Sequence, residues 1–221
     1  KTTNHQIAGA SSMMAHYSSR VKCEDCHRGA KAHHQKSRNK AILDRHTASV
    51  ACQTCHIPAL SRGQATKTAW YWSDVGKDIK AEEKFDKETF AKHKGTFDYN
   101  MNYVPTYMWY NGQIERYMVG DKIKDPKKPV VITKPVGSIK DKAAKIYPYK
   151  EYKGDQPMDS KFMYLSTFQQ YKSLWKHYNW DQALKDGGQG EGLPYSGKYQ
   201  FVKTVAYLSA PHEVAPKEMA L

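Results

Sequence analysis

All four cysteines of this chain fall into two copies of one five-residue pattern, Cys23-Glu24-Asp25-Cys26-His27 and Cys52-Gln53-Thr54-Cys55-His56. Two thiols three positions apart reach the two vinyl groups of one haem, and the next residue sets an imidazole beneath the iron. The pattern implies haem c attached at Cys23 and Cys26 and at Cys52 and Cys55, with His27 and His56 as proximal iron ligands. Other uses of paired cysteines fit less well. A zinc ribbon needs two C-x-x-C knuckles but has no use for a histidine after each. With ten histidines in 221 residues, that double placement arises by chance about 0.002 of the time. A thioredoxin-like redox pair needs a single motif beside a βαβ pattern, which is missing, and structural disulfides rarely come as two tight units. Haem attachment of this type takes place outside the cytoplasm, so the expected compartment is periplasmic or extracellular.

A haem iron held on one side by histidine takes a second protein ligand for electron transfer, or keeps an open face for chemistry. His16 precedes the first motif by six intervening residues and His46 precedes the second by five, which makes an internal repeat of histidine, spacer and C-x-x-C-H. A histidine so close upstream cannot easily curl over the far face of its own haem. His16 and His46 are therefore read as distal ligands to neighbouring haems. His33 and His34, in a basic stretch, and His5 are further distal candidates. His93 and His177 sit in polar contexts and read as surface or packing residues.

Residues 1–62 hold both motifs and little hydrophobic periodicity, a segment expected to fold around its cofactors. Residues 63–221 carry no cysteine and form a second segment. There, Trp70-Tyr71-Trp72 is an aromatic packing surface or a wall against a haem edge, and Lys80 to His93 reads as a charged amphipathic helix. Asn111-Gly112 between two β-prone runs predicts a β-hairpin over 107–119. Pro126 to Pro157 reads as mostly extended or looped, with a short strand at Val130 to Thr133. Apolar residues recurring from Phe162 to Tyr178, with Asp159 or Ser160 as N-cap and Gly187-Gly188 as stop, predict a long helix over 160–185. Tyr199 to Leu208 fits a strand or a short helix.

The stretch Leu43-Asp-Arg-His46 through Cys52-Gln-Thr-Cys-His56-Ile-Pro58, with Trp70-Tyr-Trp-Ser73, Pro105-Thr-Tyr-Met-Trp-Tyr-Asn-Gly112, Gly120-Asp-Lys-Ile123, Ile146-Tyr-Pro-Tyr-Lys150, Tyr195-Ser-Gly197 and His212-Glu-Val-Ala-Pro-Lys-Glu-Met-Ala-Leu221, resembles the octahaem tetrathionate reductase family of multihaem cytochromes c. The resemblance implies a haem-packed fold, mainly α with long irregular loops and, here, a small β-hairpin, in an exported protein whose haems are mostly bound by two histidines. The family carries eight haem motifs against two here, so the match is to the later part of such a protein. Ala215 to Leu221 resembles residues that lead into a further motif in the family, so the chain reads as an excerpt or a reduced relative. His212, upstream of that further motif, becomes a distal candidate by the repeat logic. The family's lysine-ligated catalytic haem maps to no lysine of this sequence.

Two functions are expected from these features. The first is electron transfer through two covalently bound bis-His haems to other haems or redox proteins, in neighbouring subunits of an oligomer or filament. The alternative is reduction of tetrathionate or another small sulfur or nitrogen oxyanion, for which a net charge of +13 suits an anionic substrate. No nucleic-acid-binding motif is present, and no apolar run of eighteen residues marks a transmembrane segment.

Overall fold

A computed structural model describes Cys23, His27 and residues 34–210, 214–215 and 217–221. Among the described residues its body is one mixed sheet of nine strands: β1 (Thr66–Tyr71), β2 (Phe90–Ala91), β3 (Gly95–Asn100), β4 (Thr106–Tyr110), β5 (Ile114–Arg116), β6 (Val130–Pro135), β7 (Lys145–Asp159), β8 (Tyr164–Leu165) and β9 (Tyr199–Ser209). The order is β2-β3-β1-β7-β9-β6-β5, with β4 and β8 also paired to β7. Helices are short: α1 (Lys40–His46), α2 (Cys52–His56), α3 (Trp175–His177) and α4 (Trp180–Gly190). The expected mainly α fold is thus overturned. Valine, threonine and aromatic side chains suit a pleated, half-buried surface, and their tertiary pairing prevails over the helical spacing read locally.

β7 organises the sheet. Its fifteen residues pair antiparallel with β4 through Lys145 to Tyr149, parallel with β1 at Lys153 to Asp155, and antiparallel with β9 from Tyr149 to Asp159. Two prolines lie inside it, and although neither can donate to a ladder, each accepts: Pro148 C=O from Ala210 N–H and Pro157 C=O from Ser166 N–H. The segment expected to be mostly extended or looped is extended here, and holds the longest strand.

The hairpin expected over 107–119 does not form. Asn111-Gly112 does turn the chain, with Gly112 at φ +98° and Asn111 Oδ1 accepting from Gln113 N–H. The two flanking strands then go to different partners, β4 to β7 and β5 to β6. Strand register is decided by burial as well as by the turn, and here the long β7 takes β4.

The long helix over 160–185 is also replaced. Asp159 Oδ1 accepts from the N–H groups of Lys161 and Phe162, as a helix cap would, but Met163 adopts φ +58° and the chain folds back as β8 onto β7. A π-turn at Gln170–Leu174 and α3 follow, and Tyr178 at φ +52° breaks the path before Asn179 caps α4 through Gln182 N–H. Gly187 and Gly188 do not stop this helix. A Cβ on Gly187 would stand 2.5 Å from Phe168 Cα and 2.6 Å from Thr167 O, so glycine lets the helix lie directly on that backbone. The helix expected over Lys80 to His93 is a turn-rich excursion with Phe85 and Asp86 both at positive φ. Val130 to Pro135 and Tyr199 to Ser209 are strands.

Two apolar clusters cover the sheet. Val75, Leu174, Trp180, Ala183 and Leu184 join Phe168, Trp72 and Phe201 beneath α4, while Ile123, Val130, Met158, Leu165 and Val202 fill the other. Leu174 and Leu184 are fully buried, each contributing about 1.5–3 kcal/mol of burial free energy. Trp70 stacks on Trp72 at 4.3 Å, which supports the packing reading of that aromatic run.

Candidate haem-attachment site

α2 is a single helical turn, so Cys52, Cys55 and His56, at i, i+3 and i+4, share one face. All three are half-buried, whereas Thr54 on the opposite face is buried. Thr54 Oγ1 donates to Ile146 C=O of β7 at 2.6 Å, and the same carbonyl accepts Ala51 N–H at 3.0 Å. Ile146 N–H returns a bond to Ser49 C=O, and Lys145 Nζ donates to Thr47 C=O. The front of the turn is thereby stitched to the strand.

Its other end is held by the C-terminal segment. The last carbonyls of a helix have no intrahelical partner, and here Cys55 C=O accepts Leu221 N–H at 2.9 Å and His56 C=O accepts Ala215 N–H at 2.7 Å. Ile57 beyond it is fully buried, and Leu60 bridges Tyr103. Burial pushes the Cys55 thiol up. Burial, and after it the Cys55 sulfur, push the Tyr107 hydroxyl up.

In the first motif, Cys23 is half-buried and His27 exposed, both in helical conformation, while Cys26 lies outside the described residues. Among the described residues no group of three or more Cys, His, Asp or Glu is gathered to hold a metal ion. At α2 the donor set is two thiols on one helical face followed by an imidazole, which fits covalent attachment of haem.

His46 ends α1 with an exposed ring. His34 is half-buried, its Nδ1 3.2 Å from Asp44 Oδ1, and Asp44 also pairs with Lys40. The Lys40 ammonium first, and His34 second, hold the Asp44 carboxyl below the usual carboxylate range. His5, His16, His33 and His212 lie outside the described residues. His93 packs edge-on against Trp175, and His177 is exposed on α3. Thr54, Asp44, Tyr107 and the carbonyl-capping tail were not found by sequence reasoning. Asp44 lies ten residues from its histidine, and the others act through contacts across the sheet or tail that no local spacing reveals.

The profile of the family described as "Cytochrome c bacterial" matches residues 67–221, most of the chain. The chain belongs to the bacterial cytochrome c family. For this cytochrome, membership implies covalently bound haem c. Its fold superposes on the octaheme cytochrome c from Shewanella oneidensis with a TM-score of 0.83 and 38% sequence identity, over 91% of this chain and 47% of that one. The cytochrome thus spans about half the length of the solved structure it matches. No curated protein sequence matches it.

Proposed function

We propose that this cytochrome holds two haems, at Cys23/Cys26 and Cys52/Cys55, each bound by two histidines, and relays electrons to further haems or redox proteins in an exported assembly. Haem iron, cycling between its ferric and ferrous forms, supplies the electron chemistry. The observation that carries the reading is the clamping of α2. β7 holds one side of the turn and Ala215 and Leu221 hold its end, so Cys52, Cys55 and His56 are presented on one half-buried face. His27 and His56 serve as proximal ligands.

His46 and His34 serve as distal ligands, with His16, His33, His5 and His212 the remaining candidates. Asp44 favours His34 over His33. A carboxylate at Nδ1 fixes the tautomer that leaves the Nε2 lone pair for a metal, as partners of ligating histidines commonly do. Each helical residue advances about 100°, so Asp44 and His46 project about 200° apart around α1. The histidine that Asp44 orients and His46 itself therefore serve different irons. Among the described residues no helix is long and apolar enough to cross a membrane, and the proposed compartment is periplasmic or extracellular.

Intact mass with a pyridine haemochrome count tests the attachment, two haems per chain being expected. His46→Ala should convert one low-spin haem to high-spin. A single haem, or an unchanged low-spin spectrum in the variant, would overturn the corresponding assignment.

A further inference from the structure

Several charged side chains of the sheet are paired at the surface, Asp98 with Lys84 and Lys134 with Glu115 among them. Two half-buried lysines of β1 and β7 are different. Lys67 Nζ lies 3.5 Å from the Phe97 ring centroid, 4.4 Å from that of Trp70 and 5.9 Å from that of Tyr99. Lys150 Nζ donates to Thr66 Oγ1 at 2.9 Å and stands 5.6 Å from the Tyr152 ring. Neither ammonium meets a carboxylate among the described residues. Burial depresses both lysines, Lys67 further through the Lys94 cation. Burial and then Tyr99 push the Tyr152 hydroxyl up to about 12, so it stays a neutral donor.

These groups share one face. Trp70 is opposite Gly154 in the parallel β1–β7 register, and Lys150, Tyr152 and Gly154 alternate along the same side of β7. Four residues back from Lys150 on that side is Ile146, whose C=O accepts the Thr54 hydroxyl and the Ala51 N–H of the attachment turn. The face therefore runs from the attachment turn to the two lysines. A half-buried charge is costly unless paired and hydrogen-bonded, and this face offers two cations and two phenol hydroxyls with no counter-charge among the described residues.

We propose that this face is an anion site, at which Lys150 and Lys67, with the hydroxyls of Tyr152 and Tyr99, receive the oxygens of a carboxylate or similar oxyanion. Two sources share that chemistry: a propionate of the haem attached at Cys52 and Cys55, and a free small oxyanion. The first rests on the proposed attachment; the second needs no haem.

The test uses the holoprotein with Lys150→Met, Lys67→Met and Lys150→Arg, each checked for native haem content and circular dichroism. Spectroelectrochemical titration is run at constant ionic strength, and sulfate is titrated against native protein by NMR with chloride as control. With a propionate, Lys150→Met lowers one haem potential, because a cation that favours the reduced form is lost; Lys150→Arg restores it, and sulfate has no effect. With a free oxyanion, the potentials stay put while sulfate binding saturates in native protein and weakens about tenfold or more in both methionine variants. Unchanged potentials together with no saturable sulfate binding overturn the proposal. A haem count lacking the group at Cys52 and Cys55 refutes the attachment reading separately and leaves the sulfate arm to decide.

Discussion

Asp159 is fully buried at the end of β7, and its carboxylate accepts four hydrogen bonds. Oδ1 takes Lys161 N–H at 2.9 Å, Phe162 N–H at 2.8 Å and Ser196 Oγ–H at 2.9 Å, while Oδ2 takes Ser196 N–H at 2.7 Å. Asparagine preserves size and can keep the Oδ1 contacts, but its NH2 group then faces Ser196 N–H, donor against donor. One charge-assisted bond, worth about 1.5–3 kcal/mol, is lost and a buried N–H is left unsatisfied, so Asp159→Asn should destabilise by about 2–4 kcal/mol at neutral pH. Burial pushes the Asp159 carboxyl up, yet the bonds from Phe162, Ser196 and Lys161 outweigh it and hold the group below 3.8. A depressed folded-state value means that this stabilisation is complete above the unfolded pKa and is lost as pH falls through the folded one. The gap between native protein and variant should therefore be full at pH 7 and close below about pH 4. Urea unfolding followed by far-ultraviolet circular dichroism, at a series of pH values, measures it. Equal midpoints at pH 7, or a gap that persists undiminished through the acid range, would refute the reasoning.

With His34 as the proposed distal ligand, Asp44→Asn should raise the potential of one haem, because a carboxylate at Nδ1 strengthens an imidazole as an electron donor to iron and an amide does so less. Potentiometric titration with unchanged haem content measures this, and identical potentials would remove Asp44 from its positioning role. Gly187→Ala drives a Cβ to within 2.7 Å of the Thr167 and Phe168 backbone, so α4 must shift at a cost of about 1–3 kcal/mol. A thermal midpoint equal to that of the native protein would show that the close approach relaxes freely.

The cofactor was legible because its chemistry is local. Two thiols and an imidazole within five residues point to covalent haem c whatever the rest of the chain does, and family membership implies that cofactor. Turn chemistry was legible for the same reason: Asn111-Gly112 turns the chain, and Asp159 caps the amides of Lys161 and Phe162, two and three residues on, as its short side chain dictates. What these signals lead into was not. Asp159 precedes a strand instead of a helix, and Asn111-Gly112 joins strands that never pair, because each next step depends on which distant segment offers a register. β7 binds Ile146 to Thr54 across 92 positions, and its sequence, read as extended or looped, names no partner strand until β1, β4 and β9 are in place.

By itself, then, the sequence determined the pattern of thiols and imidazole that points to haem c, and the local caps, which are decided by atoms a few residues apart. The tertiary structure alone decided the nine-stranded sheet, the meeting of His34 with Asp44 and the gathering of Lys67 and Lys150 on one face. Each is a contact between separate elements, and its loop-closure entropy is offset only when the surrounding surfaces are buried together.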